Sequence, residues 1–203
     1  MYELIILLLL MRFPTHGYLI AHIINDMIGP YARMSNGRLY PLLAKLVGEG
    51  LIEVDEESEQ ERRGERHSRR YRITEEGRKR FHTLMMDTTS NPGEYQRIFH
   101  HKVTGLSLLN ASERRYLLDH YINYCQAHVL HLTAEAEDLS VDNCRHYEHD
   151  PEALATTLDV MKHIADQWRL ELEWATRLRA QEIARQEEGS QEEPRAVRNQ
   201  AQK

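Results

Sequence analysis

Cysteine is almost absent. The 203 residues include only Cys125 and Cys144, too few for a disulfide-stapled fold, so a reducing compartment, the cytoplasm, is expected. Ten glycines and six prolines exclude a collagen-like repeat or a low-complexity linker. No apolar run reaches the roughly 20 residues of a membrane span. The longest, Leu4 to Met11, has neither the basic start nor the cleavage site of a signal peptide and reads as a buried helix. An excess of positive charge is missing too: 26 Lys and Arg stand against 32 Asp and Glu, net −6, which argues against a nucleic-acid binder that works through its bulk charge. What is present is 41% hydrophobic residues, enough for one large domain or two small ones.

The charge is unevenly placed. Thr88-Thr89-Ser90-Asn91-Pro92-Gly93 reads as a connector, and it divides the chain into residues 1–91, with thirteen bases and thirteen acids, and residues 92–203, with thirteen against nineteen. All of the excess acid lies in the second part. In the first, Arg62, Arg63, Arg66, Arg69, Arg70 and Arg72 share eleven residues with a single acid, Glu65, after the acidic run Asp55-Glu56-Glu57-Ser58-Glu59. A segregated basic loop is what local phosphate contact requires, whatever the whole chain carries.

The pattern of residues 1–91 predicts three helices, a two-stranded hairpin and a fourth helix. The first helix ends at Phe13-Pro14, since the residue before proline is driven out of helical geometry. Thr15 is expected to cap the second, whose Leu19, Ile20, Ile23, Ile24 and Met27 form a buried stripe. Ser35 caps the third. There Leu39, Leu42, Leu43 and Leu46 fall on one side, and Gly37, Pro41, Ala44 and Gly48 fall opposite, edged by Arg38, Tyr40 and Lys45. A helix so bare on its outer face can approach another surface closely, and a DNA major groove admits it. Pro41 would crowd the carbonyl of Gly37, whose missing β-carbon eases the fit. Gly50 ends this helix, Leu51 to Val54 and Arg70 to Ile73 read as the strands of a hairpin with a basic tip, and Thr74 caps the fourth helix with Glu75 and Glu76 in its positive first turn. This is the element order of a winged helix-turn-helix.

Four stretches, His16-Gly17-Tyr18, Ser35 to Leu46 (SNGRLYPLLAKL), Glu49-Gly50-Leu51-Ile52 and Arg70 to Gly77 (RYRITEEG), resemble the signature of the PadR family of bacterial transcriptional regulators. The resemblance covers about residues 2–91. It implies a homodimeric winged-helix repressor of double-stranded, pseudo-palindromic operator DNA, the family's namesake controlling genes of phenolic acid detoxification. It also implies that Tyr18, Ser35, Asn36, Arg38, Tyr40 and Lys45 face DNA. Arg62, Arg63, Arg66, Arg69 and Arg70 match the family's wing in placement more than in sequence. For Tyr18 and Tyr40, packing at the rim of the helical core competes with a DNA role.

The second part reads as helices made for pairing, a dimerisation and effector domain over residues 92–187. Asn110 to Glu113 is a capping-box start, followed by Leu118, Cys125, Leu132 and Leu139 at a spacing of seven. Asp150-Pro151 opens another helix, with Leu154, Leu158, Met161, Ala165, Trp168, Leu172 and Ala175 in alternating steps of four and three, a coiled-coil or helical-hairpin seam. Two helices make a thin core, so a second copy is expected to meet Leu118, Leu132, Leu154, Leu158, Met161, Trp168 and Leu172. Tyr121, Tyr124 and Trp168 are candidates for the wall of a site for a small aromatic effector. Residues 188–203 are polar and aperiodic and are expected to be a disordered tail.

The fold class is thus mainly α, a winged helix-turn-helix followed by an α-helical dimerisation domain, with no cofactor and no membrane partner. No nucleophile elbow or phosphate-binding glycine loop supports an enzyme. Cys125, His128 and His131 on one helix face, with Cys144, His146 and His149 beyond, suggest a metal-dependent sensor, but the heptad position of Cys125 favours packing. A protein-interaction scaffold that has lost DNA binding is the other alternative, which the overall acidity allows.

Overall fold

The computed structural model describes residues 1–28, 34–55, 69–89, 94–141 and 151–200. It divides into two compact units, Met1–Gly105 and Leu106–Lys203, so the division falls fourteen residues after Asn91.

In the first unit α1 spans Tyr2–Arg12, and its Leu4 to Leu8 and Leu10 are buried. Phe13, held extended ahead of Pro14, stops it. The extended backbone continues into a short strand, β1, Thr15–His16. Thr15 therefore does not cap the next helix as expected. It is buried in a sheet, opposite Tyr71, as suits a β-branched residue. Helix α2 runs Gly17–Ile28, and the Asn25 amide bonds both the N–H (2.6 Å) and the carbonyl (3.4 Å) of Met34, holding the start of the following segment to α2. Helix α3, Asn36–Gly48, continues through Pro41 and buries Leu39, Leu43 and Leu46. Leu42 is only half-buried.

The end of α3 is a Schellman turn. Gly50 adopts φ +70°, its N–H reaches the Val47 carbonyl, and the Leu51 N–H reaches Leu46. Strands β2, Ile52–Val54, and β3, Arg70–Ile73, follow. The sheet has three strands in the order β1-β3-β2, one more than the hairpin alone, because pre-proline geometry delivers Thr15 and His16 to the free edge of β3.

Helix α4, Glu75–Met86, is capped as expected, the Gly77 N–H donating to Thr74 Oγ1 at 3.0 Å. The Leu51 carbonyl receives the Thr74 N–H at 3.1 Å and the Thr74 hydroxyl at 3.0 Å. A β-carbon on Gly77 would lie 2.0 Å from that oxygen, so the hairpin base and the start of α4 meet only because residue 77 has no side chain. Helix α5, Tyr95–Thr104, was not foreseen. It buries Tyr95, Phe99 and Lys102, and the Lys102 ammonium donates to the Asp87 carbonyl. Burial lowers the Lys102 pKa to about 8, against a smaller opposing effect of Asp87.

In the second unit α6, Ala111–Val141, and α7, Pro151–Gln200, form an antiparallel hairpin. Asn110 and Glu113 make the reciprocal capping box, each bond 3.0 Å. Polar bridges tie the helices together: Arg114 to Glu182 (2.6 Å), Asp119 to Arg179, Tyr121 hydroxyl to Glu171 (2.8 Å) and Arg169 to Thr133 (3.3 Å). Helical backbone covers residues 188–200 of the stretch expected to be disordered. Ala, Arg, Glu and Gln there are ready helix formers even without an apolar stripe. Among the described residues no helix is long and apolar enough to cross a membrane.

Candidate nucleic-acid interface

The outer face of α3 is bare. Asn36, Gly37, Arg38, Pro41, Ala44, Lys45 and Gly48 are all exposed, while the leucines opposite fill the core. Ser35 stands at the N-cap through its backbone: its carbonyl accepts the Arg38 and Leu39 N–H groups at 3.0 Å, and its side chain makes no capping bond. Ser35, Asn36 and Arg38 therefore sit exposed at the positive end of a helix dipole, a setting that attracts anions. Lys45 lies one face on, 3.6 Å from Glu49, a surface pair that costs little to open.

Both tyrosines at issue between DNA face and core rim are accessible. Tyr18 is 73% exposed and Tyr40 44%. The ring of Tyr40 lies over Gly17, where an added β-carbon would be 3.2 Å from Cε1. A side chain at residue 17 would oblige the exposed Tyr40 ring to shift by a few tenths of an ångström, a contact that neither periodicity nor charge reveals.

The hairpin arginines divide. Arg62, Arg63 and Arg66 lie outside the described residues. Arg70 is partly buried, its Nε 3.6 Å from the Asp55 carboxylate, which is itself mostly enclosed, and 3.4 Å from the Pro14 carbonyl. Asp55 ends the acidic run where β2 meets β3 and so stands beside Arg70, whose side chain keeps 39% of its surface exposed; the DNA contact expected of Arg70 competes with this ion pair. Arg72 is matched by its cross-strand partner Glu53 at 2.7 Å. Arg69 is exposed and lines a notch of about 500 Å³ with Tyr40, Ala44, Val47, Val54 and Tyr71. Burial raises the Tyr71 phenol pKa, Arg69 opposes this and Tyr40 adds to it.

Within the helical unit the expected pairing residues separate into two groups. Leu118 is fully enclosed within the chain, which removes it from any partner surface and corrects that expectation: α7 already covers the α6 seam at this level. Leu132, Leu154, Leu158, Met161, Trp168 and Leu172 are half-buried, and Leu130, Val160 and Leu170 are exposed. Tyr121 is likewise enclosed, its hydroxyl held by Glu171 and its pKa raised, chiefly by burial, so it is a core residue rather than a ligand wall. Tyr124 and Trp168 are half-buried and share a cluster in which His128 stacks on Trp168 at 4.2 Å and Tyr124 meets both rings edge-on. Burial, with His131 adding, lowers the His128 pKa. It also pushes the Cys125 thiol up to about 12, with Glu171 adding, so this sulfur is a packed thiol rather than a thiolate ligand. Among the described residues no three His, Cys, Asp or Glu side chains are grouped to hold a metal. Cys144, His146 and His149 lie outside those residues.

Residues 6–83 match the model of the transcriptional regulator PadR-like family. The match takes in the helix-turn-helix, the sheet and nearly all of α4. No curated protein matches the chain. Similar solved structures include Bacillus subtilis PadR in complex with operator DNA, 20% identical, covering 89% of this chain and 98% of that one with a TM-score of 0.39. The same protein in complex with p-coumaric acid is 19% identical, with coverages of 89% and 94% and a TM-score of 0.37. The virulence activator AphA of Vibrio cholerae is 19% identical, with coverages of 91% and 99% and a TM-score of 0.35.

Proposed function

We propose that the chain is a sequence-specific DNA-binding transcriptional regulator, a cytoplasmic homodimeric repressor that leaves its operator when a small aromatic ligand such as a phenolic acid binds. The observation that carries this reading is the outer face of α3: small residues edged by Arg38, Tyr40 and Lys45, with Ser35 and Asn36 at its positive end, in a segment of the PadR-like family. Such a helix enters a major groove about 12 Å wide without a bulky side chain in the way. Lys45, Arg69 and the wing arginines Arg62, Arg63 and Arg66 supply phosphate contacts, while Asn36 and Arg38 reach base edges.

Pairing follows from the reading of the helical unit. Half-buried Leu132, Leu154, Leu158, Met161, Trp168 and Leu172 and exposed Leu130, Val160 and Leu170 are apolar surface that a second copy removes from water. Two recognition helices about one duplex turn apart then read a pseudo-palindrome. Tyr124 and Trp168, which retain exposure, are the effector candidates.

A mobility-shift titration on the DNA upstream of the chain's own gene tests the main reading, with binding expected to weaken steeply as salt rises. Arg38→Ala or Asn36→Ala is expected to relax base preference by about 1–3 kcal/mol of discrimination at one position. Equal affinity for that DNA and for a scrambled duplex would refute sequence-specific binding. Sedimentation decides the dimer. Phenolic acids that neither quench tryptophan fluorescence nor release the DNA would refute the effector.

A further inference from the structure

Helices α6 and α7 do not close on each other along their whole length. Where Leu132 to Ser140 of α6 pass Leu158 to Arg169 of α7, they leave a cavity of about 380 Å³ that opens to solvent. The seam side chains there are too small to fill it: Ala136 and Ala165 both line the space, and Leu132, Leu158 and Met161 form its walls. Leu132 to Ser140 rise about 12 Å along the helix axis, enough for an extended alkyl chain to lie beside them. The turn of each helix puts the exposed Leu130, Val160 and Leu170 on other faces, so those three stay available to a second copy.

The polar groups around this cavity divide into used and unused. The Thr133 hydroxyl donates to the Val129 carbonyl at 2.8 Å and the Ser140 hydroxyl to the Ala136 carbonyl at 2.7 Å. Both donors are occupied, so a hydrocarbon chain laid against them strands no hydrogen bond. Arg169 is held by Asp166 on its own helix at 2.6 Å and, across the hairpin, by the Thr133 oxygen at 3.3 Å. Lys162 also lines the cavity, is exposed, and among the described residues has no carboxylate within ion-pair distance. Glu137 is the one carboxylate in the lining. Two cations against one carboxylate favour an anion at the rim, and aliphatic walls without an aromatic ring favour an alkyl body over a flat one.

We infer that this cavity binds a medium-chain alkyl carboxylate, its chain lying along Ala136 and Ala165 and its headgroup meeting Lys162 at the rim. The inference stands on the charge of the rim, the aliphatic lining and the length of the space. It goes beyond the reading above, because the lining shares no residue with the ring cluster of Tyr124 and Trp168 and binding requires neither DNA nor an aromatic acid.

The test is calorimetric titration of the full chain with hexanoate, octanoate and decanoate, and with octylamine as the cationic control. Saturable binding at a single site per chain is expected, octanoate binding about tenfold more tightly than hexanoate because more methylenes leave water. Lys162→Gln is expected to weaken octanoate binding by about two- to fivefold, the worth of an exposed ion pair. Glu137→Gln is expected to tighten it by a similar factor, since a like charge leaves the rim. Ala136→Leu fills the cavity with a good helix former and is expected to abolish binding.

Should Ala136→Leu disturb the hairpin, the two charge variants still decide the question, since both side chains are exposed. Octylamine binding as tightly as octanoate overturns the inference, as does a Lys162→Gln affinity equal to wild type or an affinity that does not rise with chain length. A phenolic acid that displaces octanoate overturns the aliphatic assignment. Uptake of octanoate by the diluted monomer but not by a sedimenting dimer identifies the occupant as a second copy instead, and no uptake in either state overturns the inference outright. None of these outcomes bears on the DNA-binding reading, which the mobility-shift titration decides separately.

Discussion

Lys102 gives a prediction whose magnitude and sign both follow from its position. Its side chain is buried in α5, its ammonium donates to the Asp87 carbonyl, and burial lowers its pKa from 10.5 to about 8. In the unfolded chain the lysine keeps its ordinary affinity for a proton. Below pH 8 both states are protonated and the folded state bears the whole penalty, about 3 kcal/mol at 1.36 kcal/mol per pKa unit, less whatever solvent relaxation recovers. As pH rises through 8 the folded protein releases the proton before the unfolded chain does, so stability rises until about pH 10.5. Cys125 and Tyr121 act in the opposite sense at higher pH, because burial raises their pKa values and folding is weakened once the unfolded groups ionise. The difference between wild type and Lys102→Met isolates the lysine. In urea unfolding the advantage of the variant is expected to shrink by about 2 kcal/mol between pH 7.5 and 9.5. At neutral pH the variant is expected to be the more stable by about 1–2 kcal/mol, since the Asp87 carbonyl loses its donor while the buried charge is removed. Parallel stability profiles for the two proteins across this range would refute the assignment of a destabilising buried charge.

Gly77→Ala is expected to lower stability by about 3 kcal/mol or more, because its β-carbon would lie 2.0 Å from the Leu51 carbonyl; a thermal melt within a degree or two of wild type would contradict this close approach. Thr74→Ala removes the cap of α4 together with two side-chain bonds to the hairpin base, and a loss of about 1–2 kcal/mol in urea unfolding is expected. Tyr121→Phe removes the hydroxyl that donates to Glu171 and is expected to cost about 1–3 kcal/mol, whereas Leu130→Ala, at an exposed site, is expected to leave monomer stability within about 0.5 kcal/mol. Native Cys125, packed and protonated, is expected to resist alkylation at neutral pH until the chain is unfolded; fast labelling of the native protein at this residue, read by mass spectrometry, would refute its burial.

The helices were legible wherever an apolar stripe met a stop signal. Phe13-Pro14, Gly50 and Thr74 punctuate the first unit because proline geometry, a left-handed turn and a hydroxyl cap are local events that leave local marks. The bare face of α3 was also legible, since one helical turn fixes which residues stand together. Strand β1 was not. Thr15 is equally suited to capping and to pairing, and only the distant edge of β3 decides between them. Helix α5 carries His100, His101 and Lys102, and polar residues at enclosed positions disguise its period. The difference between Arg69 and Arg70 depends on where β3 begins and on Asp55 arriving beside Arg70, neither of which a count of positive charge can show. The enclosure of Leu118 and Tyr121 depends in the same way on α7 covering α6, a long-range fact.

The bridges along α6 and α7 have a consequence for how the hairpin finds its alignment. A seam that repeats every seven residues does little by itself to fix the alignment: sliding one helix by a heptad puts apolar residues against apolar residues again, though of different size. The bridges do not repeat in this way. With such a slip Arg114 would lose Glu182, Asp119 would lose Arg179, and the Tyr121 hydroxyl would be enclosed without Glu171. The exposed Asp119 and Arg179 would lose little, but Glu182 and the Tyr121 hydroxyl are enclosed, and leaving either without its partner costs more than the matched pair gains in the native alignment. The apolar seam makes the helices adhere, and the uneven spacing of the polar groups leaves them a single position in which to stop.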